Sequence, residues 1–529
     1  MLLHKYNSTT RVLLYMENKI DCCFLISNSS KNSYQKLSEN YSAIEPPTWA
    51  LLLAQSVRSV GFSANILDAN AEQLSNNDIL SRLKKMSPRL VCLVVYGQNV
   101  NAGTANMSGA VDITNHLKKN STSFPIAFIG SHVQALPSQT LQEEKNIDFV
   151  FTNEGVYALR NILNLKNISP DYFESIKGIA FRKDKKIVVN PAEKVVPNDL
   201  MDKDLPGYAW DLLPYNKKPL DLYRSPMWHA EYDFEKRSPY ASLQTSLGCQ
   251  FKCNFCMINL INRNDTKEIG VASNYSGMRF WSPEFIIKEF DKLIELGVRT
   301  IRIVDEMFLL NPKYYIPLCK MLSERNKDDS LRMWSYSRID TIKRPEILDL
   351  VRKAGIKWLC LGIESGDKKV RLEVSKGKFE DVDVKEVIKK VHAADINVMA
   401  NYIFGLPGDT NETIEKTYKL SEELCTAGWN TYAAMALPGS KLYYEAIQKK
   451  IPLPESYEGY SFHSYECLPL PTDKLNPSEI LRLRDKAFKK YHNYKPFLDL
   501  ITKKFGKNAS DNIVQMSKID LKRKLLEKN

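Results

Sequence analysis

The chain has 529 residues, of which 43% are hydrophobic and 10% aromatic, and a formal net charge of +12. That length exceeds what one hydrophobic core serves and implies two or three domains, while the composition excludes a disordered or fibrous chain. No stretch approaches the roughly 20 apolar residues of a membrane helix, and the first residues lack the apolar run of a signal peptide. A cytoplasmic protein with no transmembrane segment is therefore expected. There, ten cysteines are metal ligands or buried thiols rather than disulfides.

Residues 1–165 alternate strand-like and helix-like segments. Apolar runs fall at Cys22–Ile26, Ala64–Leu67, Leu90–Tyr96, Ile126–Ile129 and Ile147–Phe151, with helical patterns such as Thr48–Val60 and Ala105–Lys118 between them. Buried parallel strands with intervening helices make a doubly wound, Rossmann-like α/β sheet, which binds ligands at the carboxyl ends of its strands. Three polar, glycine-bearing segments follow strands directly: Tyr96-Gly97-Gln98-Asn99, Gly130-Ser131-His132 and Asn153-Glu154-Gly155.

Between 166 and 240 proline-punctuated stretches read as a connector. From 241 to 450 alternation resumes, with strands expected at Ser242–Leu247, Thr300–Val304, Met333–Tyr336, Trp358–Ile363, Val398–Phe404 and Tyr432–Leu437. Six βα units predict a partial (β/α)6 barrel of the TIM type. Ser282-Pro283 marks a helix start, with serine as N-cap and proline in the first turn. Residues 451–529 are expected to be a mostly helical extension. Its last 48 residues hold 14 Lys/Arg against 5 Asp/Glu, and with no nucleic-acid motif beside them they read as a solvated helical face. No nucleic-acid partner is expected.

Gly248-Cys249-Gln-Phe-Lys-Cys253-Asn-Phe-Cys256 places three thiols within eight residues at the end of the first barrel strand. Three thiolates on one short loop suit a [4Fe–4S] cube and leave one iron without a protein ligand. A structural zinc ion needs a fourth ligand, and no cysteine or histidine lies between Cys256 and Cys319. The other cysteines sit mostly in apolar runs and lack the clustering a second cluster requires.

The C-x-x-x-C-x-aromatic-C motif at this position resembles the signature of the radical S-adenosylmethionine (SAM) superfamily. The resemblance implies that Cys249, Cys253 and Cys256 hold the cluster, that SAM chelates the open iron, and that Phe255 packs near the adenine. It also implies that Asp305-Glu306, standing where the family more often has Gly-Gly-Glu, binds the SAM amino group. Ser337-Arg338 would reach its carboxylate, and Glu364-Ser365 its ribose. Gly405-Leu-Pro-Gly408-Asp409 and Pro438-Gly439 are placed at the ends of the fifth and sixth strands.

A doubly wound domain ahead of such a barrel resembles the cobalamin-binding subgroup. Pro46-Pro47, Ile66-Leu-Asp68, Gly130-Ser131-His132, Leu136-Pro137 and the run Asp148 to Gly155 match its usual pattern. The resemblance implies cobalamin contacts from Tyr96, Gly97, Gln98, Asn99, Gly130, Ser131, His132, Glu154 and Gly155. No histidine follows an aspartate by two places, so cobalamin would bind without a protein imidazole on cobalt.

The expected activity is radical cleavage of SAM coupled to cobalamin-dependent methylation of an unactivated carbon of a biosynthetic small molecule, lipid or saccharide. No catalytic residue beyond the cluster ligands is assigned. The resemblance also implies an electron donor such as flavodoxin or ferredoxin. Cyclisation, rearrangement or oxidation by the same radical is the alternative, and a non-catalytic metal or cobalamin sensor is the alternative of another class. Trp228-His229-Ala-Glu231-Tyr-Asp233 is a further candidate for substrate contact.

Overall fold

The computed structural model describes residues 19–527, apart from 98–99, 121–122, 226–238, 269–271, 273–275, 343 and 375–381. Gln98, Asn99 and the His229, Glu231 and Asp233 candidates thus lie outside the described residues.

Five of the first seven strands are the expected ones: β1 (Cys22–Ile26), β2 (Ala64–Asp68), β3 (Leu90–Val95), β4 (Ile126–Gly130) and β5 (Phe149–Phe151). They are parallel, in the order β2-β1-β3-β4-β5. In β1, Cys22 and Phe24 pack against the helix Thr48–Arg58, while Cys23 and Leu25 pack against the helices Asn76–Met86 and Met107–Lys119. Alternate side chains thus feed two cores, one on each face, which is why these strands read as unbroken apolar runs.

The connector expected at 166–240 begins differently. Its residues form β6 (Ile179–Lys183) and β7 (Lys186–Val189), which extend the first sheet antiparallel to β5. Asp184 and Lys185 take positive φ of 48° and 64° to make the two-residue turn, a sterically costly conformation that masks the hairpin in the sequence.

The second sheet holds β8 (Tyr240–Leu243), β11 (Thr300–Ile303), β12 (Arg332–Arg338), β13 (Ile356–Glu364), β14 (Asn397–Phe404) and β15 (Gly428–Ala433). All are parallel and lie in chain order from β8 at one edge to β15 at the other. Between β8 and β11, β9 (Ser246–Leu247) and β10 (Arg279–Phe280) pair antiparallel. Ser282 caps the helix Pro283–Glu295 by accepting from Phe285 N, as its sequence requires.

Two strand ends differ from expectation. β8 stops at Leu243, and Ser246–Leu247 turns away as β9. The sixth barrel strand is Gly428–Ala433, four residues before the Tyr432–Leu437 run. Ala433 pairs with Phe404, the last residue of β14, and Ala434 N donates the final bond to Phe404 O. Beyond that the apolar run has no neighbouring strand.

The C-terminal helices Pro477–His492, Lys495–Phe505 and Lys507–Ser517 follow. The first covers the edge at β15: buried Arg484 donates to Thr431 O, and Tyr491 stacks on Trp429. A covered edge cannot recruit a foreign strand. Among the described residues no helix is long and apolar enough to cross a membrane.

Candidate functional site between the two sheets

The first sheet has the strand order whose switch point lies between β1 and β3, where doubly wound sheets leave a crevice at the carboxyl ends. Residues just past those ends, Ser27, Ser29, Tyr96 and Gly97, line a cavity of about 610 Å³. Its opposite wall comes from the cysteine loop and the carboxyl ends of the barrel strands: Cys249, Cys253, Cys256, Glu306, Arg338 and Glu364. Two sheets folded from separate stretches of chain therefore open onto one space.

The cysteine loop is held by close backbone approach. Gly248 has φ +87°, and a Cβ there would meet Asn262 Nδ2 at 1.9 Å. N–H donors reach the three sulfurs from different parts of the chain. Phe251 N approaches Cys249 Sγ at 3.5 Å, Arg338 Nη1 approaches Cys253 Sγ at 4.0 Å, and Asn101 Nδ2 approaches Cys256 Sγ at 3.8 Å. Asn101, from the first domain, also accepts from Met257 N at 3.2 Å. Burial pushes the Cys249 thiol up to about 12 and the Cys256 thiol higher still, with Glu306 adding to both. Such sulfurs carry charge only when a cation compensates it. Three thiols, Cys249 buried and Cys253 and Cys256 half-buried, with weak N–H donors and all facing one cavity, fit an iron–sulfur cube, whose sulfurs take such hydrogen bonds.

Around this loop the barrel places two carboxyl groups with no protein donor among the described residues. Glu306 follows β11 and Glu364 ends β13; burial lifts each to about 7, Arg302 opposing at the first and Arg338 at the second. Glu364 sits at φ +64°, and its Oε1 lies where a Gly362 side chain would be, 2.5 Å from a Cβ built there. Arg338 is fixed by a bidentate pair with Asp340 and lies 3.7 Å above the Phe251 ring. Ser337 lines the cavity and accepts from Leu309 N at 3.1 Å, and Phe255 lines it as well.

Other expected site residues turn out to be framework. Asp305 is 1% exposed, takes three 2.6 Å bonds from Thr245 N, Thr245 Oγ1 and Ser246 Oγ, and lies off the cavity lining. It ties β11 to the β8–β9 corner, leaving Glu306 as the cavity member of the pair. Ser365 bonds Thr417 and Asp367 N, docking the helix Asn411–Leu424 away from the cavity. Asp409 accepts from Gly405 N and Leu406 N, which closes its own turn.

On the cobalamin side, Tyr96 and Gly97 reach the cavity, while Gly130, Ser131, His132, Glu154 and Gly155 do not line it. A Cβ on Gly130 would fall 2.1 Å from Val95 O, and Gly155 takes φ +77° at a helix start. His132 is buried between Thr104, at 3.3 Å, and the Tyr457 ring. Glu154 accepts from Val196 N and from Arg279 Nη2 at 2.6 Å, tying the end of β5 to the β9–β10 pair. The physical reason is common to all five: β4 and β5 lie beyond the switch point, so their ends meet other parts of the chain rather than the crevice.

Sequence reading passed over Ser27, Ser29, Ser30, Asn70 and Asn106, all in the cavity wall, whereas Asn101 falls in the segment Tyr96 to Thr104 that the cobalamin resemblance turns toward the corrin. The strand-end rule applied to β1 and β2 reaches the first four. Asn106 stands at the start of the helix after β3, where the helical pattern marks the element but not which residue faces the cavity.

Comparison with known proteins agrees with this geometry. Residues 36–163 match the B12 binding domain family, and residues 243–421 match the radical SAM superfamily. The chain is a radical SAM protein with a B12-binding domain. An uncharacterized methyltransferase of Pyrococcus horikoshii is 25% identical over 418 residues, 79% of this chain and 82% of that one. An anaerobic magnesium-protoporphyrin IX monomethyl ester cyclase of Cereibacter sphaeroides is 23% identical over 468 residues, 85% and 67% of the two chains. Among solved structures, the radical SAM methyltransferase TsrM of Kitasatospora setae, with cobalamin and a [4Fe–4S] cluster bound, has a TM-score of 0.61 at 15% identity. The match covers 81% of this chain and 75% of that one. The radical SAM protein thus shares its two-domain fold with a methyltransferase solved with both cofactors bound.

Proposed function

We propose that this radical SAM enzyme methylates an unactivated carbon of a small-molecule substrate, using cobalamin as methyl carrier. The observation that supports the reading most is the shared cavity, where the three thiols of the barrel face the crevice of the B12-binding domain. Cys249, Cys253 and Cys256 would hold the cluster. Glu306, Ser337, Arg338, Glu364 and Phe255 would hold SAM, and Tyr96, Gly97 and the turns after β1 and β2 would hold cobalamin. Bound there, these groups supply a 5′-deoxyadenosyl radical and a transferable methyl group.

The chain's own part is positioning and exclusion of water. The Glu306 carboxylate suits an ammonium group, and Glu364 suits paired hydroxyls, because each is a buried acceptor without a protein donor. Arg338, held by Asp340, sets a guanidinium charge beside Cys253 that suits a carboxylate. Asn101 links the two halves at Cys256, so the first domain is registered against the cluster loop. Electrons would come from a small electron-donor protein such as flavodoxin or ferredoxin.

Anaerobically reconstituted protein tests the reading. About four irons and four sulfides per chain are expected. The triple variant Cys249→Ala/Cys253→Ala/Cys256→Ala should lose both cluster and 5′-deoxyadenosine formation. Continued 5′-deoxyadenosine production by that variant would overturn it. The similarity to a cyclase favours ring closure as the second reading. Incorporation of label from methyl-labelled SAM into product decides between them, since ring closure incorporates none.

A further inference from the structure

The cavity continues past the cluster end into the barrel interior, and its depth follows from strand register. Arg338, Gly362, Asn401 and Asn430 are paired neighbours across β12 to β15 and form one layer of lining side chains. Two residues deeper, Tyr336, Cys360, Met399 and Gly428 form the next layer. Trp334 lies one step further in, so the arm runs on the order of 13 Å along the strands below Arg338. The C-terminal helices close its far end with Phe488, Phe497, Ile513 and Met516. Each is a side chain that a water-filled channel would not select.

The charges are distributed unevenly. Glu306, Arg338 and Glu364 stand at the cluster end. The inner charge is Glu45, and its carboxylate is taken by Arg302 at 2.6 Å and Tyr240 OH at 2.7 Å. Arg302 in turn lies against the Trp334 and Tyr336 rings, at 4.6 and 5.0 Å. The two histidines of the arm, His463 and His492, are kept neutral by burial. A polar rung crosses the wall near the cluster end: Asn430 donates to Asn401 Oδ1 and, at 2.6 Å, to Tyr432 OH. That leaves the tyrosine hydrogen to donate to an acceptor just below the cluster.

From this we infer that the inner arm binds an elongated hydrocarbon segment of the substrate, with an uncharged oxygen function at the Asn401–Asn430–Tyr432 rung. The inference rests on the proposed function and names the substrate class for it. Apolar walls of this length stabilise a chain by removing it from water. An ionised group drawn into the arm would lose hydration with no free counter-charge to meet it. The rung then sets which carbon lies nearest the cluster.

Equilibrium dialysis of the anaerobic holoenzyme against 1-dodecanol, farnesol, tryptophan and cytidine monophosphate tests this. Saturable binding of either alcohol, and neither polar compound, is expected; preference for dodecanol identifies a straight acyl-type chain, and preference for farnesol an isoprenoid one. Ile513→Trp and Met516→Trp fill the far end and should each weaken alcohol binding tenfold or more. Phe497→Ala should instead admit hexadecanol more tightly than the parent does. Iron and cobalamin content report whether each variant folds and, in the parent, whether the cofactor reading holds independently of chain binding. Binding of the polar compounds in place of the alcohols, no binding of either alcohol, or equal alcohol binding in all folded variants would overturn the inference.

Discussion

Glu364 is held at φ +64° with Gly362 beneath it, and a non-glycine residue in that region costs about 1–2 kcal/mol. The strain turns the carboxylate inward at the end of β13. A charge-assisted hydrogen bond is worth about 1.5–3 kcal/mol, so Glu364→Gln should weaken SAM binding roughly tenfold or more while iron content stays at the parental level. Calorimetric titration of SAM into the reconstituted variant checks this; unchanged affinity would move the contact elsewhere. His132 shows a different use of burial. Desolvation lowers it from 6.5 to about 4, and its neighbours Thr104 and Tyr457 stay uncharged across that window. Between those two values the unfolded chain binds more protons than the native one. Stability is therefore full above about 6.5 and falls as pH drops toward 4, by as much as about 3 kcal/mol. Asp68, raised to about 6 by burial, works the other way, since the native state holds its proton longer. A His132→Gln variant should thus lose less melting temperature than the parent between pH 7 and pH 5, with Asp68 present in both.

At the scale of elements, the buried pair Glu154–Arg279 clamps β5 to the β9–β10 hairpin at 3% and 1% side-chain exposure for arginine and glutamate. Removing one member of such a pair typically costs about 3–5 kcal/mol, while apolar replacement of both costs far less. Glu154→Ala should accordingly lower the melting temperature strongly, and Glu154→Leu/Arg279→Leu should recover much of it. Equal losses would mean the pair is not what joins the elements. The same element shows where sequence reading stops. Asn153-Glu154-Gly155 carries the right residue types at the end of a strand, yet β5 lies past the switch point, and its carboxylate meets an arginine 125 residues away. Sequence periodicity locates β5 and its turn but holds no information on that distant partner.

At the scale of the molecule, the two sheets present their carboxyl ends to one cavity, and cobalamin chemistry depends on that opposition. The described histidines that line the cavity are His463 and His492, both in its inner arm, and His132 is walled off. The cob(II)alamin form should therefore show no nitrogen splitting in its electron paramagnetic resonance spectrum, and His132→Ala and His463→Ala should not change it. Splitting that disappears in a histidine variant would put an imidazole on cobalt.

Local patterns located the five parallel strands of the first sheet and most of the second, but not the β6–β7 hairpin or the bounds of β15. Unbroken apolar runs marked buried parallel strands, and the spacing of Cys249, Cys253 and Cys256 marked a cluster, because both signals arise from residues close together in the chain. Which polar strand-end residues face the cavity was decided only in three dimensions. Asp305 and Glu306 are adjacent and both acidic, but the β8–β9 corner supplies three donors to the first and none to the second. The inner arm is likewise invisible in sequence: it exists because β12 to β15 stack every second side chain into shared layers and the C-terminal helices close the end. Those layers join residues on four separate strands, which no periodicity within one segment relates, and only the folded chain brings them together.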